Sequence, residues 1–256
     1  MNRGTVYLVG AGPGAPDLLT LRAARLLEAA DIVFHDALVH PETIALAANA
    51  EKVAVGKRCG KHSTAQKFIN KRLVDAAAKH QIVVRLKGGD PMLFGRAQEE
   101  IAALEAAGIA YEIVPGVTAA LAASAELGIS LTQRGVARTV TFVTPRVGEG
   151  EDTSNWVTSV LAADTAAIYM GAGQARAITD ALSAAGMSGS TPIAIVENAS
   201  LAHARTELTT LAQLPAMEAR HFEGPTLILL GPQYRVAGAA AIDAERCRAL
   251  LRAAAG

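Results

Sequence analysis

The chain has 256 residues, 51% of them hydrophobic, which is ample for two domains of about 100–150 residues and excludes a disordered chain. Lys plus Arg and Asp plus Glu both number 24, so the formal net charge is zero and there is no bulk basic field to hold nucleic acid. No apolar run approaches the roughly 20 residues of a membrane span, and Cys59 and Cys247 lack the spacing of a disulfide framework or a zinc site.

The chain opens on the β-branched run 5–9 (TVYLV), which is too short for the apolar region of a secretory signal, so a soluble cytoplasmic protein is the expectation. Further strand candidates follow at 31–35, 52–55, 82–86 and 111–114, with segments of helical period near 18–29, 41–48, 64–80 and 96–107 between them. Pro41 sits at the first turn of one of these helices, where its missing N–H costs nothing. Apolar strands alternating with helices predict a mostly parallel sheet covered on both faces. The pattern restarts with strands at 139–144, 166–170, 192–196, 205–211 and 226–230, and helices near 117–127, 155–162, 174–185 and 240–253. The break at Pro115-Gly116 predicts two α/β domains, 1–115 and 116–256, with mostly parallel or mixed sheets and an extra C-terminal helix near 239–255. In such folds ligands sit at the carboxyl ends of strands and in clefts between domains.

Strand one runs into Gly10-Ala11-Gly12-Pro13-Gly14-Ala15-Pro16-Asp17. Gly10-x-Gly12-x-x-Ala15, with Asp36 following strand two, fits a dinucleotide fingerprint and keeps an NAD-dependent oxidoreductase among the alternatives. That fit has a physical defect. Pro13 removes a backbone donor from the turn, and Pro16 delays the helix whose N-terminus would attract diphosphate. The turn still lets a ligand approach the backbone closely, and suits a less anionic one. Strand four ends in Lys87-Gly88-Gly89-Asp90-Pro91 and strand five in Pro115-Gly116-Val117-Thr118-Ala119. Three Gly/Pro-rich strand ends in one domain exceed what connection geometry requires.

These runs, in order with Val55-Gly56-Lys57-Arg58, Gly128-Ile129-Ser130-Leu131-Thr132, Ile168-Tyr169-Met170-Gly171, Pro192–Asn198 and Gly224-Pro225-Thr226-Leu227, closely resemble the tetrapyrrole methylase family over about residues 5–231. The resemblance implies two αβα domains with S-adenosylmethionine (SAM) folded into the cleft between them, in a homodimer, with no metal. It implies an enzyme that passes two methyl groups from two SAM molecules to ring carbons of uroporphyrinogen III. The product would be precorrin-2, made via precorrin-1, a branch point towards cobalamin, siroheme or heme d1. Positions matching SAM contacts are Pro13, Gly88, Gly89, Asp90, Leu93, Thr118, Ala119, Met170, Ala199 and Thr226. Asp36 and Lys57 match a proton acceptor and donor, and Arg96, Glu99, Arg134 and Met170 match residues for substrate binding or proton removal. The chain begins at strand one, so methylation is expected to be its one activity.

SAM is a cation with a carboxylate tail and no phosphate, in keeping with a turn containing Pro13. Asp90 could take a hydroxyl or ammonium, or could form an Asx turn before Pro91. Arginine is a poor base, with a pKa above about 12, so Arg96 is expected to orient substrate and any deprotonation to fall to a carboxylate or to water. Asp36 reads equally as a helix cap or turn former, and the base stays open. Uroporphyrinogen carries eight carboxylates; Arg58 and Lys61, beside Lys57 and His62, and Arg134 with Arg138 form the candidate cationic clusters. His35, His40, His80, His203 and His221 show no ligand spacing. Gln133, Thr144-Pro145-Arg146 and Ala97-Gln98 depart from the family pattern. A methylase of a later precorrin and a non-catalytic tetrapyrrole carrier complete the alternatives.

Overall fold

The computed structural model describes residues 3–55, 63–148, 154–220 and 222–235. Lys57, Arg58, Lys61, His62, His221 and the helix expected near 239–255 lie outside them. The chain divides into two compact units: Met1–Ala122 with Gly148–Glu151 and Ser200–Ala202, and Ala123–Val147 with Asp152–Ala199 and His203–Gly256.

The first unit carries five parallel strands, β1 (Thr5–Gly10), β2 (Ile32–His35), β3 (Glu51–Ala54), β4 (Ile82–Lys87) and β5 (Ala110–Val114), in the order β3-β2-β4-β1-β5. Helices α1 (Leu21–Ala29), α2 (Pro41–Ala45), α3 (Ser63–Ala77) and α4 (Ala97–Ala106) make the crossovers. Ala23 and Leu27 of α1 pack with Val9, Val33, Val84 and Leu86 on one face. On the other, Ile69 and Leu73 of α3 and Leu104 of α4 pack with Val6, Ile32, Phe34 and Val83. Because crossovers are right-handed, connections running opposite ways along the sheet occupy opposite faces. The chain therefore leaves β1 over one face and its neighbour β4 over the other, which opens a crevice at their carboxyl ends, where α/β sheets bind ligands.

The second unit holds α5 (Ala119–Leu127, whose first residues belong to the first unit), α6 (Trp156–Ala162) and α7 (Ala175–Ala184). Its five strands are β6 (Val140–Val143), β7 (Thr165–Ile168), β8 (Pro192–Glu197), β9 (Arg205–Thr210) and β10 (Thr226–Leu230). Their order is β6-β7-β10-β8-β9, with only β6 and β7 parallel. The expected strand near 205–211 is a hairpin partner of β8, followed by an unanticipated 3-10 segment, Leu211–Arg220. Leu211, Leu214 and Met217 of that segment share a core with Ile178 and Leu182 of α7 and Ile193, Ile195 and Ile228 of the sheet.

Candidate active site

Three strand ends converge at the crevice of the first sheet. Gly12 and Gly89 exchange backbone hydrogen bonds, N–H of Gly12 to the Gly89 carbonyl at 3.2 Å and N–H of Gly89 to the Gly12 carbonyl at 2.7 Å. A Cβ on Gly10 would lie 2.6 Å from Cα of Gly116 and 2.8 Å from the Gly89 carbonyl oxygen, so only hydrogen fits where the ends of β1, β4 and β5 touch. Gly89 has φ +67° with open space before it, the nearest group to a Cβ being Thr118 Cα at 4.0 Å. The backbone here is packed from behind and open in front, as a cradle for a flat ligand requires.

The dinucleotide reading loses its physical basis at the same place. A 3-10 turn, Pro16–Leu18, intervenes before α1, whose N-cap Thr20 accepts the Ala23 N–H on its side chain at 3.2 Å. The helix N-terminus that would hold a diphosphate thus starts well past Gly14. The N–H of Ala15, next to Gly14, is instead taken by Oγ of Ser200 at 3.0 Å.

Asp90 is engaged within the protein. Oδ1 accepts the Met92 N–H at 2.8 Å, closing an Asx turn, and Oδ2 accepts the Gly116 N–H at 2.9 Å. Its carboxylate thereby fastens the end of β4 to the segment after β5. The Asx-turn reading is the one these bonds show, and each carboxylate oxygen has a further lone pair.

Asp36 is neither helix cap nor turn former through its side chain. Oδ1 accepts from NH2 of Arg85 at 2.5 Å. Arg85 Nε reaches Oε1 of Glu100 at 3.0 Å, and Lys87 Nζ reaches both Glu100 oxygens at 3.1 and 3.0 Å. Gln66 of α3 adds Nε2 at 3.2 Å. These side chains are interior: Arg85 and Lys87 are each 3% exposed and Glu100 is 0%. Burial alone would lower the Arg85 pKa, but the flanking carboxylates of Asp36 and Glu100 carry it above the ordinary value. For Lys87, burial and then the Arg85 charge press the pKa below its ordinary value against the pull of Glu100 and Asp36.

Arg85, Lys87 and Glu100 were not anticipated beside Asp36, although the sequence carries a signal for them. Two cations two residues apart in the apolar run Ile82–Lys87 share one face of a strand. The spacing Ala97, Glu100, Ile101, Leu104 places Glu100, not Glu99, on the buried stripe of α4. Glu99 points outward instead, where both its oxygens are gripped by Arg96 at 2.6 and 2.8 Å. Arg96 itself stands at φ 54° before α4.

In the second unit, Met170 follows β7, Ala199 follows β8 and Thr226 opens β10. The antiparallel pairings Ile228 with Ile168 and Thr226 with Glu197 bring all three to one edge of the sheet. Met170 (φ 57°) and Asn198 (φ 53°) adopt the left-handed backbone that side chains resist. Glu197, buried at the same edge, accepts N–H bonds from Glu223 at 2.7 Å and Gly224 at 2.8 Å, with Arg205 Nε at 2.5 Å. Burial pushes its carboxyl up, but these donors together hold the pKa below the ordinary value. Arg134 lies in the exposed turn closed by the Gln133–Ala137 bridge, ahead of β6 and so at the opposite edge of this sheet.

Among the described residues no helix is long and apolar enough to cross a membrane, and no cluster of three His, Cys, Asp or Glu side chains is placed to hold a metal. Residues 5–215 match the model of the Tetrapyrrole (Corrin/Porphyrin) Methylases. A siroheme synthase of Psychrobacter sp. (strain PRwf-1) is 47% identical over 230 residues, 89% of this chain and 47% of that protein. The chain spans about half the length of the curated relatives it matches. The native crystal structure of uroporphyrin III C-methyl transferase from Thermus thermophilus is 40% identical, with a TM-score of 0.80 over 91% of this chain and 100% of that one. The structure of the Thermus enzyme complexed with S-adenyl homocysteine is 39% identical, with a TM-score of 0.78 and the same coverages.

Proposed function

This chain belongs to the tetrapyrrole (corrin/porphyrin) methylase family, and on that premise we propose that it is a SAM-dependent C-methyltransferase converting uroporphyrinogen III to precorrin-2 in two successive methylations. The observation that carries this reading is the glycine-built crevice of Gly10, Gly89 and Gly116, in a chain alike along nine-tenths of its length to an enzyme crystallised with the demethylated cofactor. The crevice fits a nucleoside without phosphate: it offers close backbone approach but no abutting helix N-terminus.

SAM, when bound, supplies a methyl group already activated by its sulfonium. The chain must then align that group with a ring carbon, exclude water and receive a proton. We assign SAM contacts in the first unit to Pro13, Gly88, Gly89, Asp90, Leu93, Thr118 and Ala119. In the second unit they are Met170, Ala199 and Thr226, whose strained edge supports a role beyond folding. Arg96 orients substrate carboxylates, and its guanidinium holds both oxygens of Glu99. Asp36 is the proton acceptor, with its side chain 29% exposed and one oxygen engaged by Arg85. Lys57 as proton donor, and Arg58, Lys61 and Arg134 as carboxylate partners, rest on the family correspondence.

Two cysteines far apart in sequence and the lack of a long apolar run support a cytoplasmic location, and the resemblance supports a homodimer. Incubation with SAM and uroporphyrinogen III should yield two molecules of S-adenosylhomocysteine (SAH) for each dimethylated tetrapyrrole, and calorimetry should register SAH but not NADH. No SAH formation, or tight NADH binding with silent SAH, would overturn the assignment.

A further inference from the structure

The guanidinium of Arg85 has every nitrogen assigned: NH2 to Oδ1 of Asp36 at 2.5 Å, Nε to Oε1 of Glu100 at 3.0 Å and NH1 to the Leu86 carbonyl at 3.2 Å. A planar fork held at three points cannot turn without losing two of them. Its anchor, Glu100, is itself fixed by Lys87 through both oxygens and by Gln66. Two cations and two carboxylates balance, so no unpaired charge is buried. Interior pairs of this kind are costly to assemble and add little stability over apolar packing, which points to a use for the one member that reaches the surface. That member is Asp36: its Oδ1 is turned inward to Arg85, while among the described residues its Oδ2 accepts no hydrogen bond.

Resting on the reading that Asp36 serves methylation, we propose that Arg85, locked by Glu100, is a positioning residue that consumes Oδ1 of Asp36 and turns Oδ2 toward the tetrapyrrole. Oδ2 is then the atom that meets a pyrrole N–H or receives the proton lost from the methylated ring. Arg85 and Glu100 act through this aim and do not touch substrate.

The test is a double-mutant cycle on kcat for uroporphyrinogen III methylation, using Asp36→Asn, Arg85→Lys and their combination, with SAH affinity and thermal melting measured alongside. Lysine keeps the charge but cannot serve both carboxylates as a fork. Since a displacement near 1 Å can cost about 10²-fold in rate, Arg85→Lys should lower kcat roughly 10- to 100-fold. The tetrapyrrole KM and SAH affinity should stay within about threefold. The double variant should be no slower than Asp36→Asn beyond about twofold, because the two changes break one contact. Losses that multiply in the double variant, or a loss confined to KM, would overturn the proposal. If Arg85→Lys does not fold, Glu100→Gln takes its place, with its kcat loss again expected to vanish in the Asp36→Asn background. A crystal structure with SAH and a tetrapyrrole that set Oδ1 against the ring would overturn it independently. Wild-type turnover by Asp36→Asn would remove the role of Asp36, and inactive wild-type protein would remove the methyltransferase reading itself.

Discussion

At the carboxyl-end edge of the first sheet the backbone is bent by glycines, Gly12 and Gly89 at positive φ and Gly10 and Gly116 in contact. At the matching edge of the second sheet the same kind of bend is made at Met170 and Asn198, where side chains bear the strain. Each edge also holds a buried glutamate, satisfied differently. Glu100 is neutralised by two side-chain cations from β4, whereas Glu197 is held by Arg205 of β9 together with two backbone N–H groups of the loop that leads into β10. Both arrangements join segments distant in sequence: the donors to Glu197 lie 26 and 27 residues away, and Arg85 lies 15 residues from Glu100. The first edge thus pairs glycine bends with an ion cluster made of side chains, and the second pairs strained bends with a cradle of backbone donors and one arginine.

The largest effect should come from the ion cluster. Glu100→Ala leaves Arg85 and Lys87 as buried cations with too little countercharge, and should cost about 3–5 kcal/mol in a denaturant titration; a loss under about 1 kcal/mol would mean that the cluster is hydrated and the contrast false. Glu197→Gln should cost less, roughly 1–3 kcal/mol, because its amide oxygen can still accept the two N–H bonds while its NH2 opposes Arg205. The glutamate's folded pKa lies below its unfolded one. It therefore contributes stability that is fully present above the unfolded value near 4.3 and is lost as pH falls through the folded value. Acid unfolding below about pH 4 should accordingly be steeper for wild type than for Glu197→Gln.

A smaller pair of changes compares the two kinds of bend. Gly89→Ala has room for its methyl group but keeps φ +67°, so it should destabilise by about 1–2 kcal/mol. Met170→Gly should stay within about 1 kcal/mol of wild type by calorimetric melting, since relief of strain offsets the added freedom of the unfolded chain. SAH affinity should nevertheless fall in it; unchanged affinity would take Met170 out of the site. Smallest of all, Arg96→Ala removes an exposed i,i+3 pair and should shift stability by less than about 0.5 kcal/mol. A large fall in its turnover would then report on substrate and not on folding.

Much of the first unit was legible because a parallel strand buried on both faces must be apolar, and its connection must return by a helix. The runs at 5–9 and 82–86 lie within β1 and β4, and the Gly/Pro-rich ends mark where the sheet opens. The strand at 205–211 was found, but its antiparallel pairing and the 3-10 segment after it were not, since pairing direction leaves no period in one strand. The place of Glu100 was not legible: adjacent glutamates have equal chemistry, and only the phase of α4 separates Glu99, which pairs with Arg96 outside, from Glu100, which pairs with Arg85 within.

By itself the sequence determined roughly where the strands and helices of the first unit lie, that two α/β units form, and which strand ends carry glycine, because these follow from local sterics and the period of apolar residues. Only the tertiary structure decided that β4 lies between β2 and β1, that Gly10, Gly89 and Gly116 meet, and that Arg85 reaches both Asp36 and Glu100. Those are contacts between segments 15 to more than a hundred residues apart. Their geometry is set by packing a common core, which no local stretch of chain encodes.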